Sequence, residues 1–186
     1  PKAGGMLRYG IPEYRLPKEV LDDEILTIEK MGVEIITDTK IGADIPFETI
    51  RADFDAVLLG IGAWISTGVG CKGEDAEGVI GGIDFLRKVV RNEEIELGEK
   101  VAIVGGGNTA MDACRTAVRL GAKEVYNIYR RTKDEMPADM VEIEEAEEEG
   151  VIFKNLTNPL EVIKDENGHV KEVVLQVMEL GEPDES

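Results

Sequence analysis

Lys100-Val101-Ala102-Ile103-Val104-Gly105-Gly106-Gly107-Asn108-Thr109-Ala110-Met111-Asp112 is an apolar strand that runs straight into a glycine-rich turn opening a helix. The turn has the G-x-G-x-x-G/A spacing. In that pattern Gly105 permits the tight turn, Gly107 lets the backbone approach a pyrophosphate, and Ala110 keeps the helix close to the sheet. The unpaired N–H groups and the positive end of the helix that follows then face the phosphates. A lone match of this kind also fits an ordinary strand-to-helix turn, so the flanking segments decide between the two readings.

The next strand reads Glu124-Val125-Tyr126-Asn127-Ile128-Tyr129, follows a helix that Gly121 can cap, and ends in Arg130-Arg131. A βαβ unit is therefore in place. Where an NAD site carries an acidic residue for the ribose 2′-hydroxyl, about 20 residues past the glycines, this chain carries arginine. Guanidinium groups are permanently charged and match phosphate oxygens with paired donors, so Arg130 and Arg131 favour NADP(H) over NAD(H). In a chain of net charge −18 such a pair reads as selected for an anion.

Working outward, Pro17 suits a first helical position, and Val20, Leu21, Ile25, Ile28 and Met31 recur at helical spacing up to Gly32. The pattern then predicts a strand over Val33 to Thr37, a short helical turn or loop over Ile45 to Ile50, and a buried parallel strand over Phe54 to Leu59. The glycine- and charge-rich stretch from Gly68 to Gly82 reads as a linker. A helix over Ile83 to Val90 leads into the fingerprint. Beyond it come a helix over Glu142 to Glu149 ended by Gly150, a strand over Val151 to Leu156, and a hairpin. Its turn is Asp165-Glu166-Asn167-Gly168, between Val162-Ile163-Lys164 and Val170 to Met178.

Bulk properties bound the function. No apolar run approaches the roughly 20 residues of a membrane span, and the first residues show no secretory signal, so the expectation is a cytoplasmic protein with no membrane partner. A pI near 4.4 argues against nucleic acid, whose affinity comes from neutralising phosphates. Glu142, Glu144, Glu145, Glu147, Glu148 and Glu149 alternate with Val141, Ile143 and Ala146 and read as a solvated helix face. Cys71 and Cys114 lack metal-ligand spacing, so no metal site is expected, and Cys114 reads as core filler. Neither forms a redox Cys-x-x-Cys. The one histidine, His169, sits in the hairpin and reads as a surface residue, which leaves no Ser-His-Asp or Cys-His constellation.

A wider order of motifs spans nearly the whole chain: Gly5-Met6-Leu7-Arg8-Tyr9-Gly10-Ile11-Pro12-Glu13-Tyr14-Arg15-Leu16-Pro17, then Ala56-Val57-Leu58-Leu59-Gly60-Ile61-Gly62-Ala63, Gly73-Glu74-Asp75, the Gly105 fingerprint, Tyr129-Arg130-Arg131 and Glu135-Met136-Pro137-Ala138. That order resembles the small subunit of NADPH-dependent glutamate synthase. It is similar also to the flavin-carrying part of dihydropyrimidine dehydrogenase and to the large subunit of NADH-dependent ferredoxin:NADP oxidoreductase.

The resemblance implies an α/β flavoprotein in which a Rossmann-like NADP(H)-binding domain is inserted into an FAD-binding domain, with hydride passing from NADPH to flavin. It implies residues 1–64 as a partial FAD-binding domain, 65–80 as linker and 81–186 as the NADP(H)-binding domain. Arg15 is then expected to contact the flavin, and Gly60 and Gly62 to lie near its pyrophosphate. Asn108 and Thr109 can meet phosphate or nicotinamide-side groups, or only cap the helix. The family's upstream FAD pyrophosphate loop, its cysteine-rich iron–sulfur module and its downstream Gly-Asp closure are not in this sequence, so an internal segment of a longer polypeptide is expected, with FAD held by the whole. Electrons would pass to glutamate synthase's large subunit or another iron–sulfur partner. A nucleotide-binding sensor module without catalysis is the alternative reading. No single catalytic side chain is nominated, because hydride transfer is cofactor chemistry that the protein positions.

Overall fold

The computed structural model describes residues 2–181, and its chain divides into two units, 1–64 and 65–186. In the first unit, helices α1 (Gly5–Tyr9), α2 (Lys18–Lys30) and α3 (Phe47–Asp53) are joined by irregular segments. The Arg8 side chain is buried, where it pairs with Asp22 of α2 and donates to the Ala3 carbonyl. Lys18 organises the turn between α1 and α2, its ammonium donating to the carbonyls of Ile11 at 2.7 Å, Leu16 at 3.0 Å and Leu7 at 3.1 Å. Desolvation in that position lowers the Lys18 pKa from its ordinary value. The Glu13 carboxylate accepts from the Lys18 backbone N–H at 2.9 Å, satisfying a donor at the start of α2.

Two expected strands of this unit do not form. Residues 33–37 and 54–59 are irregular, with Ile36, Phe54, Leu58 and Leu59 exposed, Leu58 at 95%. A parallel strand exists only through the ladder it makes with neighbours. Among the described residues of this unit none pairs with either segment, so the apolar runs stay single.

The second unit carries the βαβ frame. Helix α4 (Gly82–Val90) precedes strand β1 (Lys100–Val104), helix α5 (Asn108–Arg119), strand β2 (Glu124–Ile128), helix α6 (Met140–Glu148) and strand β3 (Ile152–Lys154). The three strands form a parallel sheet in the order β1-β2-β3, with Val101 opposite Val125 and Tyr126 opposite Ile152. Phe85 and Leu86 of α4, Met111, Cys114 and Ala117 of α5, Val125 of β2, and Ile143 and Ala146 of α6 close one apolar core. The acidic face of α6 is only partly solvated, which corrects the sequence reading. Arg115 of α5, 6% exposed in its side chain, pairs with Glu142 at 2.8 Å, Glu145 at 2.5 Å and Glu149 at 2.9 Å, and Arg119 joins it on Glu149 at 2.8 Å.

Strands β4 (Thr157–Lys164) and β5 (Val170–Val177) form the expected antiparallel hairpin, with Asp165 accepting from the Asn167 and His169 N–H groups at 2.9 Å in its turn. Residues 65–80 belong to this unit and lie along the hairpin. Val162 donates to the Lys72 carbonyl and Val170 to the Glu77 carbonyl, both at 2.8 Å, while Lys164 pairs with Asp75 at 2.7 Å. Gly73 has φ +78, and a Cβ there would stand 2.2 Å from the Val162 carbonyl oxygen, so that crossing admits only glycine. No helix among the described residues is long and apolar enough to cross a membrane.

Candidate functional site: a glycine turn and an arginine pair on one sheet edge

In a parallel sheet all strands end on the same edge, so the segments after β1, β2 and β3 share one. The fingerprint turn follows β1. Gly105 has φ +139, a conformation open to glycine, and its N–H donates to the Ile128 carbonyl at 3.0 Å, which ties the turn to the end of β2. A Cβ on Gly105 would sit 3.4 Å from the Ala110 Cβ, the close helix–strand approach that the small residues were expected to allow. At Gly107, the N-cap of α5, a Cβ would meet nothing within 4 Å, so it would project into open space. The N–H groups of Gly106, Gly107, Asn108 and Thr109 donate to no acceptor among the described residues. They form a bank of unsatisfied donors at the positive end of α5, the chemistry that holds an anion.

The arginine pair follows β2. Both side chains are exposed, and neither makes an ion pair or hydrogen bond among the described residues, while Arg8, Arg87, Arg91, Arg115 and Arg119 are all engaged by carboxylates. The backbone around them is fixed by the end of β3 and the residues that follow it: Tyr129 donates to the Lys154 carbonyl, Leu156 to the Arg131 carbonyl and Thr157 to the Tyr129 carbonyl, each at 3.0 Å.

The loop after the arginines folds back onto the fingerprint. Thr132 and Glu135 cap its single 3-10 turn (Lys133–Glu135) reciprocally, and the Thr132 backbone N–H leads the bonds that hold the Glu135 carboxyl below its ordinary range. The Tyr129 hydroxyl donates to the Glu135 carbonyl at 2.8 Å, and its ring covers Gly106, where a Cβ would come within 2.5 Å of it. Ala138 then donates to the Gly106 carbonyl at 3.0 Å. Asn108 and Asp139 close the loop with two bonds: Asn108 Nδ2 donates to the Asp139 carboxylate at 3.0 Å, and the Asp139 N–H donates to Asn108 Oδ1 at 2.9 Å. The Asn108 side chain is thus committed to Asp139, and what it offers a ligand is its backbone N–H. Thr109 is exposed beside it.

Sequence reasoning missed Asp139 and Asn127. Nothing local marks Asp139, whose partner lies 31 residues away. Asn127 did carry a signal, a polar residue inside an otherwise apolar strand, and it is fully buried with Nδ2 donating to the Gly105 carbonyl at 2.8 Å. Cys114 beside it is core filler as expected. Burial pushes its thiol up to about 12, which keeps it protonated and unreactive. No three His, Cys, Asp or Glu side chains among the described residues gather as a metal site.

In the first unit, Arg15 is half-buried in the turn before α2, and Gly60 and Gly62 lie exposed after the apolar run, Gly62 with φ +68. The Trp64 ring stands 6.3 Å from the Tyr9 ring of α1, which brings that glycine turn back to α1.

The family model for pyridine nucleotide-disulphide oxidoreductases matches residues 18–183. The chain belongs to that family. Among its relatives, the beta subunit of NADPH-Fe(3+) oxidoreductase from Geobacter sulfurreducens is 48% identical over 98% of this chain and 28% of its own length. The NADP(+)-dependent formate dehydrogenase beta subunit of Moorella thermoacetica is 46% identical over 100% and 27%. The glutamate synthase [NADPH] small chain of Escherichia coli is 39% identical over 99% and 41%. The resemblance to the glutamate synthase small-subunit family therefore holds, and the chain spans about a quarter to two fifths of these relatives. Of solved structures, FprA from Mycobacterium tuberculosis in complex with NADPH superposes with a TM-score of 0.75 at 16% identity, over 92% of this chain and 54% of that one. At that identity the likeness shows the fold, the two-dinucleotide flavoprotein architecture expected from the motif order.

Proposed function

We propose that this chain is the NADP(H)-binding part, with a portion of the FAD-binding part, of a cytoplasmic flavin oxidoreductase of the glutamate synthase small-subunit type. One observation carries the reading: a bank of free N–H groups at Gly106 to Thr109 and two unpaired arginines share one sheet edge in a chain of net charge −18. In this reading residues 81–186 hold the dinucleotide. The α5 N-terminus binds the pyrophosphate, and Arg130 and Arg131 take the 2′-phosphate. Residues 1–64 contribute Arg15 and the Gly60–Gly62 turn to a flavin site, and 65–80, bonded along the hairpin, belong with the second unit rather than to a free linker. The named activities of the relatives, all NADPH- or NADP(+)-linked, support the same cofactor.

When bound, NADPH supplies a hydride and FAD accepts it. The protein's share is orientation and exclusion of water. The Tyr129–Asp139 loop holds the fingerprint turn rigid through the Ala138, Asn108 and Asp139 bonds, so phosphate binding needs little reorganisation there. The partner that would take the electrons onward is an iron–sulfur subunit, glutamate synthase's large chain or another. Anaerobic absorbance spectroscopy tests the flavin half. The 186-residue chain alone is expected to be colourless, because its first unit leaves residues 54–59 exposed and unpaired. A full-length polypeptide should be yellow and bleach with NADPH. A full-length protein that stays colourless after refolding with FAD would leave the sensor reading ahead.

A further inference from the structure

Asn127 is 0% exposed near the end of β2, with its amide beside Cys114 of α5, and its neighbour two residues back is the core residue Val125. A buried primary amide among apolar side chains is destabilising unless its groups are bonded. Here the bonding is one-sided. Nδ2 donates to the Gly105 carbonyl at 2.8 Å and lies 3.8 Å from Cys114 Sγ, while Oδ1 has no partner. The orientation of the amide is fixed, because turning it over would set Oδ1 against the Gly105 carbonyl oxygen. An apolar residue would therefore suit the core better, and what the amide supplies is a donor to one carbonyl of the glycine turn.

That carbonyl matters through the peptide it belongs to. Gly105 C=O and Gly106 N–H are opposite ends of one planar trans unit, so a carbonyl held against Asn127 directs the Gly106 N–H the other way. That N–H is the first of the four free donors at the start of α5. The peptides on either side are held by the Gly105 N–H to Ile128 and by Ala138 to the Gly106 carbonyl, and the Asn127 bond is the one that fixes the plane between them, at a glycine whose φ of +139 tolerates other orientations. We propose that Asn127 is a positioning residue for the dinucleotide: by locking the Gly105–Gly106 peptide from inside the core, it presents the Gly106 N–H to the pyrophosphate. The proposal rests on the dinucleotide reading of this edge and adds a residue that never touches the ligand.

The test separates fold from affinity. Asn127→Leu keeps the volume, removes the unpartnered Oδ1 and removes the donor. Its thermal midpoint without nucleotide should equal or exceed the parent's, while its Kd rises roughly tenfold, the equivalent of one bond to a charged partner. The rise should be the same for NADPH and NADH, which share the pyrophosphate. An affinity within twofold of the parent overturns the proposal, as does a midpoint that falls along with affinity. Asn127→Asp gives a second reading should the leucine variant fail to fold. Its carboxyl can donate to the Gly105 carbonyl only when protonated, so the ratio of its Kd to the parent's should grow as pH rises, across a range where circular dichroism shows both folded. A flat ratio overturns the proposal. Absence of binding by the parent itself would instead refute the dinucleotide reading.

Discussion

Replacing Arg130 and Arg131 together by alanine is the sharpest perturbation of the site. Both side chains are exposed and make no ion pair or hydrogen bond among the described residues, so the substitution breaks neither, removes only the minor pull of Arg131 on the Glu135 carboxyl, and should leave the fold unaffected. The net charge moves by two units, from −18 to −20. A bond between charged partners contributes about 1.5–3 kcal/mol, and exposure to water puts these two at or below the lower end. Losing both should therefore weaken NADPH about tenfold to a hundredfold, at 1.4 kcal/mol per tenfold. NADH lacks the 2′-phosphate and should change by less than about threefold, mostly through the added negative charge, by the same arithmetic. The preference of the parent for NADPH should also shrink as salt rises, since the screening length falls from about 10 Å at 0.1 M to about 3 Å at 1 M. Calorimetric titration of both nucleotides against both proteins at two ionic strengths checks this. Equal losses for NADPH and NADH would refute the role of the arginines.

Gly107→Val should leave the thermal midpoint within about 1 kcal/mol of stability, because φ is −93 and its Cβ meets nothing, yet abolish NADPH binding by filling the pyrophosphate's approach; retained binding by calorimetry would reduce the fingerprint to a structural turn. Arg115→Met should destabilise the second unit by about 2–4 kcal/mol in urea titration, since it leaves Glu142, Glu145 and Glu149 facing one another, with Glu145 already half in water and so discounted. Burial alone would raise the Glu149 carboxyl, but the Arg119 and Arg115 guanidiniums outweigh it and hold the pKa below the usual glutamate range. A depressed folded-state pKa means this stability is present above the ordinary carboxylate range and is lost as pH falls through the folded value. The parent should accordingly lose stability on acidification below about pH 4.5, and the methionine variant should lose less; identical acid slopes would sink that assignment.

How far the sequence could carry these conclusions depended on whether the partner of each residue was local. The βαβ frame was legible because strand, turn and helix each have their own pattern, and Gly121 and Gly150 marked helix ends where positive φ is found. Residues 33–37 and 54–59 have strand patterns too, but a strand is a relation between two segments, and no pattern within Phe54 to Leu59 says whether a neighbour lies beside it. The α6 acids were read as solvated because their spacing was judged on α6 alone. Glu142, Glu145 and Glu149 fall on one stripe, and the matching signal, Arg115 and Arg119 one turn apart, is on α5.

The same distinction sorts the site. Gly105 to Ala110 could be placed in the turn after β1 because their requirement is steric and internal to the turn, and Arg130-Arg131 after β2 because sheet topology fixes where that end lies. Asp139 was invisible, since its bonds to Asn108 exist only once the loop has returned across 31 residues. Asn127 was visible and passed over. An amide in an apolar strand conflicts with its local setting, and such conflicts are where function is expected to override packing. Here the conflict has a direction. The unsatisfied oxygen is buried, where it weakens the fold, while the nitrogen holds the Gly105 carbonyl of the glycine turn. On the proposed role, stability and binding place opposite demands on position 127, and the demand from the proposed binding edge accounts for the amide there.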